Sequence, residues 1–453
     1  MPRLPGKLIK FCAISILFVL FLGLMMPGIG LSARFTNVLQ LHNVYLPLVR
    51  RHISYAESQG ILDASFGDGG RVISDLSGAN ESGAALALQG DGKLLVGGQI
   101  DGTYNVDVGV ARYYPDGNLD LSFSIDGWVS TDLLGEDQAA AIAIQQDGKI
   151  LLAGTAAYDF ALVRYTADGA LDSTFGVGGW VRTDLLGSDD QANALAIQPD
   201  GCIIVVGKAL NSSGNYDFAL VRYLANGDLD LSFGTSGKVT TDLTTQQDII
   251  RGIALQPDGK IIAVGPVKRG GSYHDFGVAR YNSDGTLDTS FGTAGLVFTD
   301  FEQDHDFANA VVLQPDGRIV VAGAATKDDA YWFAIARYTP TGLLDASFGT
   351  NGRVMTFFGP GHDDGYAITL QPDGKLILAS YADLDAAIDF IVVRYNPNGS
   401  LDAGFSEVGW VMTDFAGGDD FGLAVVLQPD GEIVVAGSAF TGLDFDFGML
   451  RYR

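Results

Sequence analysis

The sequence predicts an all-β protein, a seven-bladed β-propeller of four-stranded antiparallel blades. Two observations support this prediction. A Leu-Asp pair followed closely by Phe recurs at spacings of 57, 52, 58, 58, 57 and 57 residues, so one unit repeats seven times over residues 60–453. Each unit also contains four short apolar or β-branched runs bounded by Gly and Asp. Radial repetition of four-stranded units is typical of propellers, whereas a solenoid needs altered capping units, and both terminal units here keep the motif residues.

The third unit shows how the four strands follow one another. Apolar residues alternate over 192–198, Asp200-Gly201 forms a tight turn, and a β-branched run covers 203–207. A third run covers 217–223, and a fourth covers 238–242. Glycine supplies the positive φ that closes a short hairpin, and an Asp-Gly turn occurs at this place in all seven units. Runs of this length between such turns favour strands over helices.

Ring closure is predicted from the order of the strands. If the two strands of the Asp-Gly hairpin are innermost, the third run lies beside them and the fourth lies outermost. The last unit then has no fourth strand, because the sequence ends at Arg453, whereas an extra run precedes the first hairpin. We therefore expect residues 71–76 to pair antiparallel with residues 446–452, which removes an exposed sheet edge.

The first 59 residues differ from the repeats. Three basic residues precede an uncharged apolar run over 11–26, and Pro27 and small residues around Ser32 follow it. This order predicts a secretory signal peptide over residues 1–33, with an uncleaved membrane anchor as the alternative. Residues 34–59 are interpreted as a linker to the propeller. The expected location is therefore secreted or at the cell surface, with membrane contact only through a retained N-terminal segment.

Charge and motifs narrow the classes of function. The net charge is −26, which argues against a nucleic-acid binder because phosphates require a basic surface. His-Glu-x-x-His, Gly-x-Ser-x-Gly, Cys-x-x-Cys and phosphate-loop motifs are absent from the sequence. The repeats contain three histidines, His274, His305 and His362, each followed by Asp. Because they occupy non-equivalent or loop positions, we expect exposed loop histidines rather than a metal or acid–base site.

The repeated phrases of each unit resemble a known family. Leu-Asp-x-Ser-Phe-Gly is followed by Gly-x-Val-x-Thr-Asp, then by Ala-x-Gln-Pro-Asp-Gly-Lys-Ile and Asp-Phe-Ala-Leu-Val-Arg-Tyr. This succession resembles the delta-60 repeat family of bacterial exported proteins in all seven units, and it is similar to the NHL type of propeller repeat. The resemblance implies a propeller whose Asp-Gly hairpin joins the two inner strands. It implies little about activity.

An arginine precedes the tyrosine that ends the third strand in every unit. These residues are Arg112, Arg164, Arg222, Arg280, Arg337, Arg394 and Arg451. A half-buried guanidinium needs a partner, so we expect each arginine to contact a carboxylate of the repeat. In the sixth unit Phe357 replaces the aspartate of Thr-Asp, and the pairing is expected to differ there.

One series of carboxylates lies ten residues before each turn aspartate, on the loop entering the strand next to the axis. Its members are Glu81, Asp137, Asp190, Asp248, Asp306, Asp363 and Asp420. The first interpretation is that they cap local backbone N–H groups. The alternative is that the seven carboxylates surround one opening and hold a hard cation such as Ca²⁺, which prefers oxygen ligands. No other cofactor is predicted.

The loop between the second and third strands varies most between units, and aromatic residues recur in it. Tyr104, Tyr158, Tyr216, Tyr273, Trp332 and Tyr381 are the candidate ligand-binding rim. Such rings would suit stacking on sugars or peptides, whereas packing against a neighbouring loop is the alternative.

The predicted function is that of an exported, non-enzymatic propeller that binds a macromolecule, either a protein or a glycan. The alternatives are a propeller enzyme, such as a lyase or hydrolase, and a purely structural surface repeat. No catalytic residue is assigned. An enzyme should gather non-repeating His, Arg, Tyr or Glu residues at one end of the axis, whereas a binding module should show variable loops without a titrating cluster.

Overall fold

The computed structural model describes residues 60–102, 105–135, 137–271, 273–359, 363–383, 387–415 and 417–453. The predicted signal peptide or anchor (1–33) and linker (34–59) lie outside the described residues. The part of the chain that is described contains no helix with the length and apolar character needed to cross a membrane.

Blades 1 to 4 are formed by consecutive strands. Their bounds are β2 (Glu81–Leu88), β3 (Leu94–Asp101), β4 (Val106–Tyr113) and β5 (Trp128–Thr131) in blade 1; β6 (Asp137–Ile144), β7 (Ile150–Ala156), β8 (Asp159–Tyr165) and β9 (Trp180–Thr183) in blade 2; β10 (Asp190–Ile197), β11 (Ile203–Leu210), β12 (Tyr216–Tyr223) and β13 (Lys238–Thr241) in blade 3; β14 (Gly252–Leu255), β15 (Ile261–Lys268), β16 (His274–Tyr281) and β17 (Leu296–Thr299) in blade 4.

Blades 5 to 7 complete the ring, and the last blade takes its outer strand from the start of the repeats. The bounds are β18 (Asp306–Leu313), β19 (Ile319–Lys327), β20 (Ala330–Tyr338) and β21 (Arg353–Thr356) in blade 5; β22 (Asp364–Leu370), β23 (Leu376–Asp383), β24 (Ile388–Tyr395) and β25 (Trp410–Thr413) in blade 6; β26 (Asp420–Leu427), β27 (Ile433–Phe440), β28 (Phe445–Tyr452) and β1 (Arg71–Ser74) in blade 7.

The predicted all-β, seven-bladed propeller is confirmed. Each blade is an antiparallel sheet, and in blades 1 to 6 the strands follow in chain order from the first strand of the Asp-Gly hairpin to the short strand at the opposite edge. The predicted closure by the N-terminal strand is confirmed as well. Arg71 pairs with Leu450 and Ser74 pairs with Phe447, so β1 forms the outer edge of blade 7. The pairing strand ends at Ser74, two residues before the predicted limit.

Every inner strand of blades 1, 2, 3, 5, 6 and 7 contains a bulge that brings the backbone close to the second strand. In blade 3 the register shifts between Ala192 and Ala194, which displaces Asn193 from the ladder. Gly207 lies opposite the bulge, and a Cβ atom there would lie 1.9 Å from the carbonyl oxygen of Gln191. The close approach therefore requires glycine at this position in blade 3.

The hydrophobic core lies between neighbouring blades. Between blades 2 and 3, Leu151 and Leu162 pack with Leu195, Val205 and Phe175, all of which are buried. Phe175 belongs to the Leu-Asp-x-x-Phe motif, so the motif that marks each repeat also fills the space between blades. Burial of such side chains contributes about 1.5–3 kcal/mol each.

A buried tyrosine hydroxyl forms a hydrogen bond from each of six blades to the outer strand of the preceding blade. The pairs are Tyr165–Thr131, Tyr223–Thr183, Tyr281–Thr241, Tyr338–Thr299, Tyr395–Thr356 and Tyr452–Thr413. The oxygen–oxygen distance of the Tyr223–Thr183 pair is 2.8 Å, and both residues are buried. These bonds satisfy phenol groups that would otherwise be costly to bury.

The repeat arginines form the ion pairs predicted from the sequence. Arg164 Nε donates to Asp172 Oδ2 at 2.9 Å, its guanidinium lies 4.4 Å from the ring centroid of Phe175, and Nη1 donates to the carbonyl oxygen of Ala225 in the next blade. Burial disfavours ionisation of Asp172, but the hydroxyl and N–H of Thr174 and the charge of Arg164 outweigh it and lower the pKa to about 2. Each pair thus joins two blades.

The expected difference in the sixth unit is wrong. Arg394 Nε donates to Asp402 Oδ2 at 2.7 Å, as the equivalent arginines do in blades 1 to 5. The partner is the aspartate of Leu-Asp, and Phe357 replaces the aspartate of Thr-Asp, which lies elsewhere in the blade. The substitution therefore leaves the ion pair unchanged.

Candidate functional site: the acidic face of the ring

The starts of the inner strands, the ends of the second strands and the starts of the third strands lie on one face of the ring. In blade 3, for example, Asp190 pairs with Ala209, and Ala209 pairs with Asp217. We call this side the acidic face, because the predicted carboxylate series occupies it in every blade. The variable loops between the second and third strands also lie there.

Members of the carboxylate series cap the loop that leads into their own blade. Asp190 is fully buried, and its Oδ2 accepts the N–H of Leu185 at 2.6 Å. Equivalent bonds to loop N–H groups are made by Glu81, Asp137, Asp248, Asp306, Asp363 and Asp420. Each member lies at its own junction between two blades, and none of the groups of close carboxylate oxygens in the described residues contains two members of the series.

At five junctions in the described residues, the series carboxylate is joined by two more. The third-strand aspartate and the aspartate after the outer strand place oxygens within 4.8 Å of each other and of the series residue. The clusters are Asp75–Glu81–Asp446, Asp107–Asp132–Asp137, Asp159–Asp184–Asp190, Asp275–Asp300–Asp306 and Asp389–Asp414–Asp420. Such oxygen-only groups have the chemistry that hard divalent cations prefer.

Burial and mutual repulsion raise the pKa values of Asp190, Asp306 and Asp420, the series carboxylates of three of these clusters. Burial is the main cause for Asp190, whose pKa rises to about 6, and the charges of Asp184 and Asp159 add to the rise. At the junction of blades 4 and 5, burial raises the pKa of Asp306 to about 8, and Asp300 adds to it. Both junctions also contain an arginine, described below, that pairs with the third-strand aspartate.

The junction of blades 5 and 6 lacks two of the three carboxylates. Trp332 occupies the position of the third-strand aspartate, and Phe357 occupies the position after the outer strand. The two rings pack with their centroids 4.8 Å apart, beside the remaining Asp363. Two acidic side chains are therefore replaced together by an aromatic pair.

The aromatic residues expected to form a rim do not meet in one place. Tyr104 lies outside the described residues. Tyr158 is 72% exposed, and Tyr216 packs against Lys208, whose Nζ lies 3.9 Å from the ring centroid. Trp332 belongs to the aromatic pair with Phe357 described above. Tyr273 contacts His305, whereas Tyr381 contacts Tyr366 and Phe421, which belong to a different group of residues near the axis.

The group near the axis consists of residues at the inner-strand positions of blades 4 to 7. In blades 1 to 3 the equivalent residues are small or uncharged, and the space between them is about 10 Å³, room for roughly one water molecule. Blades 4 to 7 have bulky or charged residues there. We call these the axial arc: Arg251, Phe307, Asn309, Asp364, Tyr366 and Phe421.

Polar contacts run along the axial arc from blade to blade. Arg251 Nη1 donates to Asn309 Oδ1 at 2.6 Å, and Asn309 Nδ2 donates to Asp364 Oδ1 at 2.5 Å. The hydroxyl groups of Tyr366 and Tyr381 lie 3.0 Å apart, and their rings stack. Burial raises the pKa of Tyr381 well above its ordinary value, so this phenol stays neutral at ordinary pH. The arc is thus a connected network rather than a set of free side chains.

Two histidines extend the axial arc toward the rim. The Nδ1 atoms of His274 and His305 lie 3.0 Å apart, and the ring of His305 stacks on Phe307. Burial is the main cause that lowers the pKa of His274 to about 4, and the charges of His305, Lys268 and Arg251 contribute to this shift. The two histidines are therefore partly buried neighbours rather than the exposed loop residues expected, whereas His362 lies outside the described residues.

A groove of about 620 Å³ lies beside the histidines, between blades 4 and 5. Tyr273, Phe298 and Arg269 line it together with the cluster residues Asp275 and Asp300. Tyr273 is 48% exposed, and its ring meets the edge of His305 at a centroid distance of 5.2 Å. The contact between Tyr273 and His305 therefore links the groove to the residues that extend the axial arc.

Sequence reasoning missed the axial arc because its members do not belong to the variable loops. The signal was present in the aligned inner strands. Where blades 1 to 3 have Ala84, Ala140 and Asn193, blades 4 and 6 have Arg251 and Tyr366. An alignment of the units at these positions would have shown that blades 4 to 7 differ from blades 1 to 3.

Six segments of the chain match a β-propeller family described as a domain of unknown function (DUF5122). The matching residues are 89–123, 145–175, 198–233, 256–291, 314–348 and 371–405. Each segment runs from near the hairpin turn to the phenylalanine of the Leu-Asp-x-x-Phe motif. Among curated proteins, none matches this sequence.

Several solved structures are similar to the chain. Virginiamycin B lyase from Staphylococcus aureus is 13% identical, with 84% of this chain and 98% of that chain covered and a TM-score of 0.45. Sqt1 from Chaetomium thermophilum is 12% identical, with 83% and 95% covered and a TM-score of 0.45. A protein of unknown function from Dyadobacter fermentans is 12% identical, with 84% and 97% covered and a TM-score of 0.43. Identities this low give no information about function.

The architecture and the matching segments agree. Seven four-stranded sheets close into a ring, and six of the seven blades contain a segment that matches the family model. The chain is therefore a β-propeller repeat protein, and six of its blades are similar to this family.

Proposed function

We propose that the protein is an exported, non-enzymatic binding module that holds a neutral glycan in the groove between blades 4 and 5. The exposed face of Tyr273 is the observation that carries this proposal. Its ring lies nearly perpendicular to the ring of His305 at a centroid distance of 5.2 Å, so the ring is oriented before a ligand arrives. An aromatic face oriented in this way suits the apolar face of a sugar ring.

The other groove residues supply hydrogen bonds of the kind that sugar hydroxyl groups require. Asp300 and Asp304 offer acceptors, and Gln303 and Arg269 offer donors. The volume of about 620 Å³ lies within the range of small-molecule sites. The acidic lining, together with a net charge of −26, disfavours acidic polysaccharides and nucleic acids.

Binding of the full chain to an array of neutral and acidic oligosaccharides tests the proposal, followed by calorimetry with the strongest ligand. We expect neutral glycans to bind and Tyr273→Ala to weaken binding at least tenfold. Tyr158→Ala is the matched control, because Tyr158 is exposed on the equivalent loop of blade 2 and lies outside the groove. Binding to none of the neutral glycans, or equal loss in both variants, would refute the proposal.

A propeller enzyme is the second candidate, and one observation favours it. Non-repeating titratable residues, including Arg251, His274 and His305, gather at one end of the axis. Binding is preferred because Arg251 and Asp364 are both bonded to Asn309 and the histidines contact each other. Release of reducing ends or of unsaturated products from the bound oligosaccharide, lost in Arg251→Ala, would favour the enzyme instead.

A further inference from the structure

The junction at which the ring closes contains an uncompensated group of three carboxylates. Asp75 follows β1, Glu81 begins β2, and Asp446 lies in β28, so the first and last strands of the ring both contribute. Oxygens of the three side chains lie within 4.8 Å of one another. Among the described residues, no basic side chain forms an ion pair with any of them.

Two of these carboxylates are buried and keep an oxygen without a hydrogen-bond donor. Glu81 is 1% exposed, and its Oε1 accepts the N–H of Ser77 at 2.8 Å, whereas Oε2 is buried without a partner. Asp446 is 2% exposed, and its Oδ1 is likewise buried without a partner. Both side chains point into the cluster. A buried acceptor left in this state costs free energy unless something positive faces it.

Other junctions compensate for part of the same repeated charge, although Asp190 Oδ1, Asp306 Oδ1 and Asp363 Oδ1 also stay buried without a partner among the described residues. At two of them an arginine pairs with the third-strand aspartate, Arg182 with Asp159 at 3.2 Å and Arg269 with Asp275 at 3.4 Å. At the junction of blades 5 and 6, the aromatic pair described above removes two of the charges.

The junction of blades 3 and 4 uses neutral donors instead. Asn211 Nδ2 donates to Asp217 Oδ1 at 2.8 Å, and the Thr244 hydroxyl donates to Asp248 Oδ1 at 2.7 Å. At the closure junction no arginine of the described residues pairs with the cluster. Asp446 contacts the Thr441 hydroxyl and the carboxyl group of Glu81, but Glu81 Oε2 and Asp446 Oδ1 have no hydrogen-bond donor in the described part of the chain.

We propose that Asp75, Glu81 and Asp446 bind a calcium-sized divalent cation that joins the first strand of the ring to the last. The donor set consists of oxygens alone, as Ca²⁺ prefers. Two oxygens that coordinate one Ca²⁺ lie at most about 5 Å apart, and the oxygens of this cluster, which lie within 4.8 Å of one another, fit this limit. Asp75 is exposed, which gives the ion a path from solvent and leaves room for water ligands.

Hydrogen exchange of the full chain, read by mass spectrometry, tests this site locally. If opening of β1 requires loss of the ion, CaCl₂ at ten times its dissociation constant should slow exchange in residues 71–74 about tenfold relative to EDTA. Asp75→Asn should abolish this calcium-dependent protection. The proposal does not depend on glycan binding in the groove.

Asp242→Asn is the matched control. Asp242 occupies the same repeat position, and its Oδ1 accepts the N–H of Thr245 as Asp75 Oδ1 accepts that of Gly78. This variant should keep the full protection of residues 71–74. Three results would overturn the proposal: equal exchange with CaCl₂ and EDTA, protection that persists in Asp75→Asn, or equal protection by MgCl₂ or by NaCl of matched ionic strength.

Discussion

Arg451 and Asp63 form a buried ion pair between residues 388 positions apart in the sequence. In the other six blades, the equivalent arginine pairs with an aspartate only eight positions away. Arg451 also donates from Nη1 to the carbonyl oxygen of Pro115 at 2.7 Å, in blade 1. A contact that is local in every other blade thus becomes part of the closure of the ring.

Asp63→Ala is expected to lower the free energy of unfolding by about 3 kcal/mol, because the buried guanidinium of Arg451 loses Asp63 and keeps Glu432, at 3.0 Å, as its remaining carboxylate partner. Asp63 is fully buried and Arg451 is 7% exposed. Urea denaturation measures the loss. Asp68→Ala, at an exposed position of the same segment, should change the value by less than about 0.5 kcal/mol. Equal effects of the two substitutions would contradict the closing role of the pair.

The hydrogen bonds between blades can be measured by a double-mutant cycle. Tyr223→Phe should cost about 1–2 kcal/mol, because Thr183 is left buried without its partner. Adding Thr183→Val removes the second polar group, so the double variant should be more stable than the sum of the two single losses predicts. Thermal and urea unfolding give the four values. Strict additivity would show that the two hydroxyl groups do not interact.

Gly207→Ala is expected to destabilise the protein by about 1–3 kcal/mol through overpacking. The added Cβ would lie 1.9 Å from the carbonyl oxygen of Gln191, so the two strands must separate. Gly214→Ala is the control, since nothing lies within 4 Å of its Cβ position and only the positive φ opposes the substitution. A smaller loss for Gly207→Ala than for Gly214→Ala in urea denaturation would refute the steric argument.

Stability should fall as the pH rises from about 5 to about 8, and Asp306 should account for part of the fall. The folded pKa of about 8 lies above the ordinary value of 3.8, so the folded protein binds more protons than the unfolded chain between these values. Charge on Asp306 therefore destabilises the fold most at high pH. Asp306→Asn should be more stable than the parent protein by roughly 1–3 kcal/mol at pH 8 and nearly equal at pH 5. Urea denaturation at the two pH values decides, and an unchanged pH dependence in the variant contradicts the assignment.

Stability should also fall when the pH is lowered below about 4, because the aspartates of the repeat ion pairs then become protonated. Burial opposes ionisation of Asp63, but bonds from Ser65 and Arg451 lower its pKa to about 2. The pair therefore stabilises the fold above pH 3.8 and loses this contribution as the pH falls toward 2. We expect Asp63→Ala to flatten the decline in stability between pH 4 and pH 2 measured by urea denaturation. The same decline in both proteins would contradict this.

The sequence predicts the architecture well because each unit carries its own local signals. Alternation, Asp-Gly turns and the seven-fold repeat predict the strands of blade 3 to within three residues of their observed ends. Closure by residues 71–74 could be predicted by counting strands. The last unit has three strands of its own, and an outer edge without a partner is disfavoured. These features depend on local spacing, which a single sequence displays.

Contacts between blades are harder to predict. The sequence indicates that Arg394 pairs with a carboxylate, but it does not show which of the repeated aspartates lies nearest, and the expectation drawn from Phe357 is wrong for this reason. The arc from Arg251 through Asn309 to Asp364 joins residues more than fifty positions apart in successive units. Only the closed ring brings such positions together, so the periodic pattern alone does not reveal them.

The strand β1 has a consequence for how the chain is made. During synthesis β1 precedes its partner β28 by most of the chain, and the Asp63–Arg451 pair spans 388 residues. At translation rates of about 5–20 residues per second, the N-terminal strand waits on the order of 20–80 s before its partner exists. Throughout that interval the growing chain is an open spiral with two unmatched edges, exposed to pairing with other nascent chains. A chaperone that covers these edges would therefore matter until the last strand, β28, has been made.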